Sequence, residues 1–547
     1  MKSLNPYILY DLQFILRQII GFLSKEKNNW LYPAVLAFCL SILVYGALPL
    51  LGLNLITTIL SPKTIFLLII GLIALGVFSY ILFLCVKYPE QFLQIVTLYY
   101  VLTICVLAFL LKKAKVLPGS SSPFVITNFS SLELVTIFAI PAILIAAPHI
   151  FGILKRFPYI IFQILFIIIF IIYLNYHNTD FPFPIRWLEG IPNPEKWRLY
   201  LVQYTMLWYS LLLSIITAAI FHKTSSFHDV FDRFNKALII FYLIEAIVTL
   251  LGVPLGMFQQ NVDGHVRFKS RFIHPNAYGH HLAIFLVYCL GITLYYQKLQ
   301  EIGIKRFPIP QLVLCFTLNM AAFFLALSKG AISLSFISMF VILLINFPYL
   351  IKNLKLVFQA IGAIIGLIPV GLLIIQVTKE GGLIGYIELT MARVGDTDSF
   401  DWRTQAWANL MNNLSDPIIG HGLTSSSLLL HHISYHPKWN PLPLVIIHNT
   451  YYQLIYDMGI IGLIFFFIPF ALIIISSIFF FIVLYSKHSY VLPLFGTIIG
   501  TTMYYLLSMT IDEVNLYDLH ILYWPFVTII YGVFLKIMSD GKAAVEQ

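Results

Sequence analysis

From His448 to Leu484 the chain reads HNTYYQLIYDMGIIGLIFFFIPFALIIISSIFFFIVL. After Asp457 this stretch carries no charge, and it is longer than the roughly 20 residues that one bilayer crossing needs. It reads as a membrane helix whose first turns stand outside the hydrocarbon. Similar apolar runs recur along all 547 residues, which are 60% hydrophobic and 10% charged, where a soluble chain has about 25% charged. Only helices or closed barrels satisfy their backbone in lipid, and barrel strands would alternate in polarity. The fold class expected is therefore all-α, a polytopic transmembrane helix bundle.

Working outward from that stretch, apolar runs begin near residues 31, 64, 91, 131, 158, 201, 232, 277, 309, 330, 355, 452, 491 and 519, or about 14 spans. Four regions follow. Residues 1–30, where Asp11 and Arg17 interrupt an apolar segment, suit an interfacial helix on the cytoplasmic surface, with no cleavage site after it. Residues 31–377 hold the first 11 or so spans, and 449–547 the last three or so. Between them, residues 378–448 make one large polar loop with a helix near 399–414. Lys155-Arg156, Lys223 to Lys236, Lys298 to Arg306, Lys352 to Lys355 and Lys487 fall on the side of the N-terminus, which makes that side cytoplasmic and puts the loop outside. Lys112, Lys113 and Lys115 conflict with this count.

Cys39, Cys85, Cys105, Cys289 and Cys315 all lie in apolar runs without a C-x-x-C pair, so no disulfide framework or thiolate metal site is indicated. The net charge of +9 comes from dispersed residues, which gives no support to nucleic-acid binding. Glu245 is the one carboxylate near the middle of a span, where either a transport pathway or a hydrogen-bonded partner would account for it. Trp187 and Trp197, on a proline-rich external loop, suit interfacial anchoring or sugar stacking.

Chemistry-bearing residues gather on the external side. In Arg267-Phe268-Lys269-Ser270-Arg271, an extended backbone would present Arg267, Lys269 and Arg271 on one face. His274-Pro275-Asn276 then opens a helix. Ser328-Lys329-Gly330 puts a cation at an external turn, although a lysine at a helix end also snorkels. In the large loop, Asp398 and Asp401 resemble a capping box, and Arg403, Trp407, Leu410 and Leu414 share a helical face that should point at the bundle. A guanidinium there calls for an anion, either a ligand or an internal carboxylate. Asp396 with Asp398 for a divalent metal, and His431, His432 and His436 for zinc, are weaker patterns. Asn449 or Thr450 would cap the last long helix, placing His448 where the helix dipole favours bound anions and a neutral imidazole. Asp457, Gly459 and Gly462 follow, the glycines suiting close helix approach.

In order and spacing, His274-Pro275-Asn276, Ser328-Lys329-Gly330, Arg403 with Trp407, Asp416-Pro417 with Gly420 and Gly422, and His448-Asn449 with Tyr451, Asp457, Gly459 and Gly462 resemble the O-antigen ligase and O-antigen polymerase family. The resemblance covers about residues 265–465 and implies a multi-pass bacterial inner-membrane glycosyltransferase with its site facing the periplasm. It implies as partners a glycan on undecaprenyl pyrophosphate, an acceptor hydroxyl on lipid A core or another glycan, and membrane lipids, with no cofactor and no metal. Carried over, His448 and Arg403 are the catalytic residues. Lys329, Arg271, Arg403 and Lys269 bind the pyrophosphate, and Asn449, His274, Asn276, Tyr452 and Trp407 support them. The family usually has Arg where this chain has Lys329.

Overall fold

A computed structural model describes residues 146–176, 227–252, 259–262, 265–268, 275–304, 306–326, 328–353, 398–422, 448–511 and 519–546, with parts of 211–222 and 425–429. Two compact units divide the chain. One, Gly119–Asp232 with Tyr242–Gln547, holds nearly all described residues; of the other, Met1–Pro118 with Arg233–Phe241, only the helical stretch 233–241 is described. The apolar runs expected from residues 31, 64, 91, 131 and 355, the N-terminal interfacial helix, the lysines at 112–115, Trp187 and Trp197 lie outside the described residues.

The described elements are almost all helices: α1 (Ile150–Arg156), α2 (Pro158–Tyr176), α3 (Phe227–Gly252), α4 (Pro275–Glu301), α5 (Ile309–Ala326), α6 (Lys329–Ile345), α7 (Phe347–Lys352), α8 (Asp398–Asn412), α9 (Thr450–Leu484), α10 (Val491–Ser508) and α11 (Leu519–Glu546). Among them six are long and apolar enough to cross a membrane. A seventh is added if α1 and α2, bent by 106° around Phe157-Pro158, count as one broken span. Six or seven candidate spans are thus seen among the described residues, and five of the roughly fourteen expected apolar runs lie outside them.

One departure from the all-helical reading is a hairpin. Strands β1 (Gln259–Val262) and β2 (His265–Phe268) pair antiparallel, Gln259 opposite Phe268 and Val262 opposite His265. Asp263-Gly264, between them in the sequence, is a dipeptide that two-residue hairpin loops favour. Phe268 is buried against Leu325 and Leu250, which fixes β2 at the ends of α5 and α3.

Central to the bundle is α4, buried along most of its length, with α10 lying against it and against α6, α9 and α11. The close fit of α10 rests on small residues: a methyl added at Gly500 would overlap Ile342 of α6, and one at Gly496 would meet Asn346. The second turn of α4 ties down its neighbours through polar side chains. Tyr278 donates to Thr249 Oγ1 (3.2 Å), the His280 Nδ1 and Tyr504 hydroxyl are 2.7 Å apart, and His281 Nε2 lies 3.3 Å from Glu245 Oε2. Glu245 is thus a packing partner inside the bundle. Asn319 donates its amide to the carbonyls of Tyr242 and Cys315, another helix tie.

The two ends of this unit differ. At one, Arg306 bridges Asp229 and Asp232 at 3.3 Å each, Tyr296 donates to Asp232, and Tyr349 donates to Glu301 with the Lys298 ammonium above its ring. Burial, and after it the Glu301 carboxylate that its hydroxyl bonds, pushes the Tyr349 phenol well above its ordinary range. At the other end α4, α6 and α9 begin while α5 and α10 finish, and there the candidate site residues lie.

Candidate active site

The last turn of α10 and the turn Met509–Ile511 that follows it organise that second end. A helix leaves its final carbonyls without internal partners. Here Leu506 accepts from the Tyr451 hydroxyl (2.5 Å), Met509 from Thr450 N–H (2.9 Å), Thr510 from Asn449 Nδ2 (3.0 Å) and Ile511 from Arg403 Nη1 (3.1 Å). The start of α6 joins the same turn, since Gly330 lies against the Ile511 side chain, whose end a methyl at 330 would displace. Gly279 of α4 fits Ser328 in the same way, which brings in the turn opened by Pro275 and Asn276. Three stretches far apart in sequence, at Lys329, Arg403 and His448, therefore share the turn Met509–Ile511.

Each residue has a local reason for its place. Asn449 is the N-cap of α9, its Oδ1 accepting from the N–H of Tyr451 (3.0 Å) and Tyr452 (3.1 Å). With its Nδ2 on Thr510, the one side chain both starts the helix and ties it to α10. His448, just before the cap and half-buried, has φ 54°, alone among the described non-glycine residues in the left-handed region. Such a backbone costs about 1–3 kcal/mol and collects at functional sites. Nothing in the amino-acid order at this position signals that strain.

Arg403 lies in the second turn of α8 and is partly buried. Its face of the helix packs on α9 through Ala406, Leu410 and Tyr456, while the Trp407 ring stacks on Tyr452 (5.5 Å between centroids, 18° between planes). The guanidinium points at the bundle, but the partner it meets is a backbone carbonyl rather than an internal carboxylate. The turn that follows α10 supplies that acceptor. This bond takes one of five N–H donors and orients the rest of the fork. Lys329, the first residue of α6, is exposed, and Asn276 is half-buried at the start of α4. Arg271, Lys269 and His274 lie outside the described residues, as do Asp396, His431, His432 and His436. The side chains of Arg267, Asp398 and Asp401 are likewise not described.

Gly459 does more than permit close helix packing. With φ 64° and ψ −168°, it breaks α9 nine residues after its start, in a conformation that only glycine readily adopts. The segment Asp416–Gly422, which leads away from α8, docks into the break. His421 N–H donates to Tyr456 O (2.8 Å) and Gly422 N–H to Asp457 O (2.8 Å). In return Ile460 N–H donates to Pro417 O (2.9 Å) and Ile461 N–H to Ile418 O (3.3 Å). The buried Asp457 carboxylate accepts from Ser426 N–H at 2.8 Å, and the His421 ring stacks on Tyr456. The large loop is thereby stapled to α9 at both α8 and this segment, which fixes Arg403 relative to His448.

Residues 312–467 match the model of the family described as O-antigen ligase, an interval running from α5 into α9 and containing Lys329, Arg403 and His448. No curated protein matches the chain at a significant level. The chain thus has six or seven helices, among the described residues, that are long and apolar enough to cross a membrane, and across residues 312–467 it is similar to the O-antigen ligase family.

Proposed function

We propose that this protein is a membrane glycosyltransferase that moves a glycan from undecaprenyl pyrophosphate to a sugar hydroxyl, with lipid A core as acceptor, at the periplasmic face of the bacterial inner membrane. The family domain supports glycan transfer of the ligase or polymerase type. The observation that carries the site assignment is the shared turn Met509–Ile511, which gathers a guanidinium, a strained histidine and a lysine-led helix start. The side assignment is supported by Lys298, Arg306, Lys352 and Lys487, which all lie towards the opposite end of the helices, where cytoplasmic basic residues belong.

In the reaction His448 accepts the proton of the acceptor hydroxyl, whose oxygen bonds to the anomeric carbon. The bond from that carbon to the diphosphate oxygen breaks, and undecaprenyl pyrophosphate departs with the electron pair. Attack opposite the leaving group inverts the anomeric centre. Arg403 and Lys329, with Arg271 and Lys269 from the basic segment, hold the diphosphate as its charge grows. A general base contributes about 10²–10⁴-fold, and fixed donors on the leaving charge a comparable factor. Lysine at 329 supplies charge without the arginine fork, which leaves the bidentate contact to Arg403.

The direct test is transfer by the purified protein from lipid-linked glycan to lipid A core in the presence of chelator. Normal transfer by His448→Ala removes the base assignment, and loss of transfer on chelation restores the metal reading at Asp396 and Asp398. A polymerase would use the same donor and the same residues. Deleting the gene separates the two: bare lipid core beside accumulated long lipid-linked glycan identifies a ligase, and core carrying single repeat units identifies a polymerase.

A further inference from the structure

Between α8 and the break in α9 the chain forms a short tip, Pro417–Gly422, in which every backbone N–H has a partner within the chain. Pro417 has no N–H. The N–H groups of Ile418 and Ile419 both donate to Asp416 Oδ1 at 3.0 Å, that of Gly420 donates to Asp416 O, and those of His421 and Gly422 donate to the carbonyls freed by the break. The carbonyls of Pro417 and Ile418 are taken by Ile460 and Ile461. A tip in water can leave such groups to solvent. One at the hydrocarbon edge has to satisfy its donors internally, and here the docking of the tip into the break of α9 does that.

The side chains point the same way. Ile418 and Ile419 at the tip and Ile460, Ile461 and Ile464 beyond the break are 36–59% exposed. The tip and the helix are joined by backbone hydrogen bonds at this point, so the five side chains sit at one place. Ile464 and Ile475 are eleven residues apart, three helical turns, so the exposed face continues along α9 as the outward face of a membrane span. That continuity names the occupant.

We infer that the Pro417–Gly422 tip is inserted among the lipid chains of the leaflet on the active-site side, so that the large loop is seated in the membrane rather than held above it. Insertion beside the break would set the height of α8, and with it Arg403, against the bilayer surface where a lipid-linked diphosphate lies. The insertion itself is independent of which reaction the site performs.

The test uses the full chain in liposomes with one cysteine added at a time, Ile418→Cys, Ile419→Cys, Gln405→Cys on the exposed face of α8, and Ile475→Cys, each labelled with bimane and corrected for the unsubstituted protein. Labels at 418 and 419 are expected to emit to the blue of the label at 405. They should be quenched several-fold less by aqueous iodide, and should be quenched by nitroxide lipids carrying the spin label near the headgroup. Quenching at 475 should come from more deeply placed nitroxides. Iodide access at 418 and 419 equal to that at 405 overturns the inference. Shielding from both quenchers also overturns it, because the tip would then be covered by protein, whether a second copy or another part of this chain. Using two adjacent labelled positions keeps the test available if one substitution prevents folding.

Discussion

Replacing Gly459 by alanine tests the staple between loop and helix. The conformation at this residue lies where side chains are strained by about 1–3 kcal/mol. The added methyl would also overlap the carbonyl carbon and oxygen of Ile418, and lie 2.7 Å from the carbonyl carbon of Ile419. Those atoms are backbone, so no rotamer change relieves the overlap. Either Asp416–Gly422 moves away or α9 straightens, and both lose the four hydrogen bonds across the break. At about 0.5–1.5 kcal/mol each, these add roughly 2–6 kcal/mol to the strain. Against a total stability of about 5–15 kcal/mol this is a large loss. Gly303 provides the control, with φ 87° and open space around it, so Gly303→Ala measures the backbone strain alone. Unfolding free energies in bicelles should separate the two variants by about 2 kcal/mol or more, and protease should cut the Asp416–Gly422 segment faster in Gly459→Ala. Equal losses for the two glycines would show that the segment contributes nothing at the break, and the argument would fail.

Other expectations follow from the site. His448→Asn keeps a residue tolerant of positive φ, so the thermal midpoint should stay within a degree or two of the parent while transfer falls by about 10²–10⁴-fold; retained transfer would exclude the imidazole as base. Asn449→Ala removes both the cap and the tie to Thr510 and should cost about 1–3 kcal/mol, whereas Asn449→Asp keeps the cap acceptor and should recover about 1 kcal/mol of it, read by thermal unfolding. Arg403→Lys should lower transfer about 10–100-fold at unchanged fold by circular dichroism, from the loss of a charge-assisted fork. Failure of raised donor concentration to recover any of that rate would place the effect in the chemical step rather than in donor binding.

Much of this organisation could be read from residue order. Uninterrupted apolar runs located α3, α4, α5, α6, α9, α10 and α11, because a helix in lipid declares itself by length and composition alone. The face of α8 that carries Arg403, Trp407 and Leu410 followed from helical periodicity. What sequence order did not show was how the segments meet. The partner of Arg403 is a carbonyl, and carbonyls are the same in every residue, so no side-chain pattern marks Ile511 as an acceptor. The break at Gly459 sits inside an apolar run with glycines on either side of Ile460 and Ile461, where composition cannot tell a packing glycine from one of positive φ. Extended backbone was expected at Arg267 and Phe268, but its pairing with Gln259 and Gln260 was not, because eight residues of strand are few beside runs of twenty apolar ones.

The turn that follows α10 has a consequence for how such a chain can change. Arg403, Asn449 and the start of α6 each take their place from one short turn, and none is spaced by the sequence that lies between them. A shift of Met509–Ile511 would therefore displace all three together, although none of them lies near that turn in sequence.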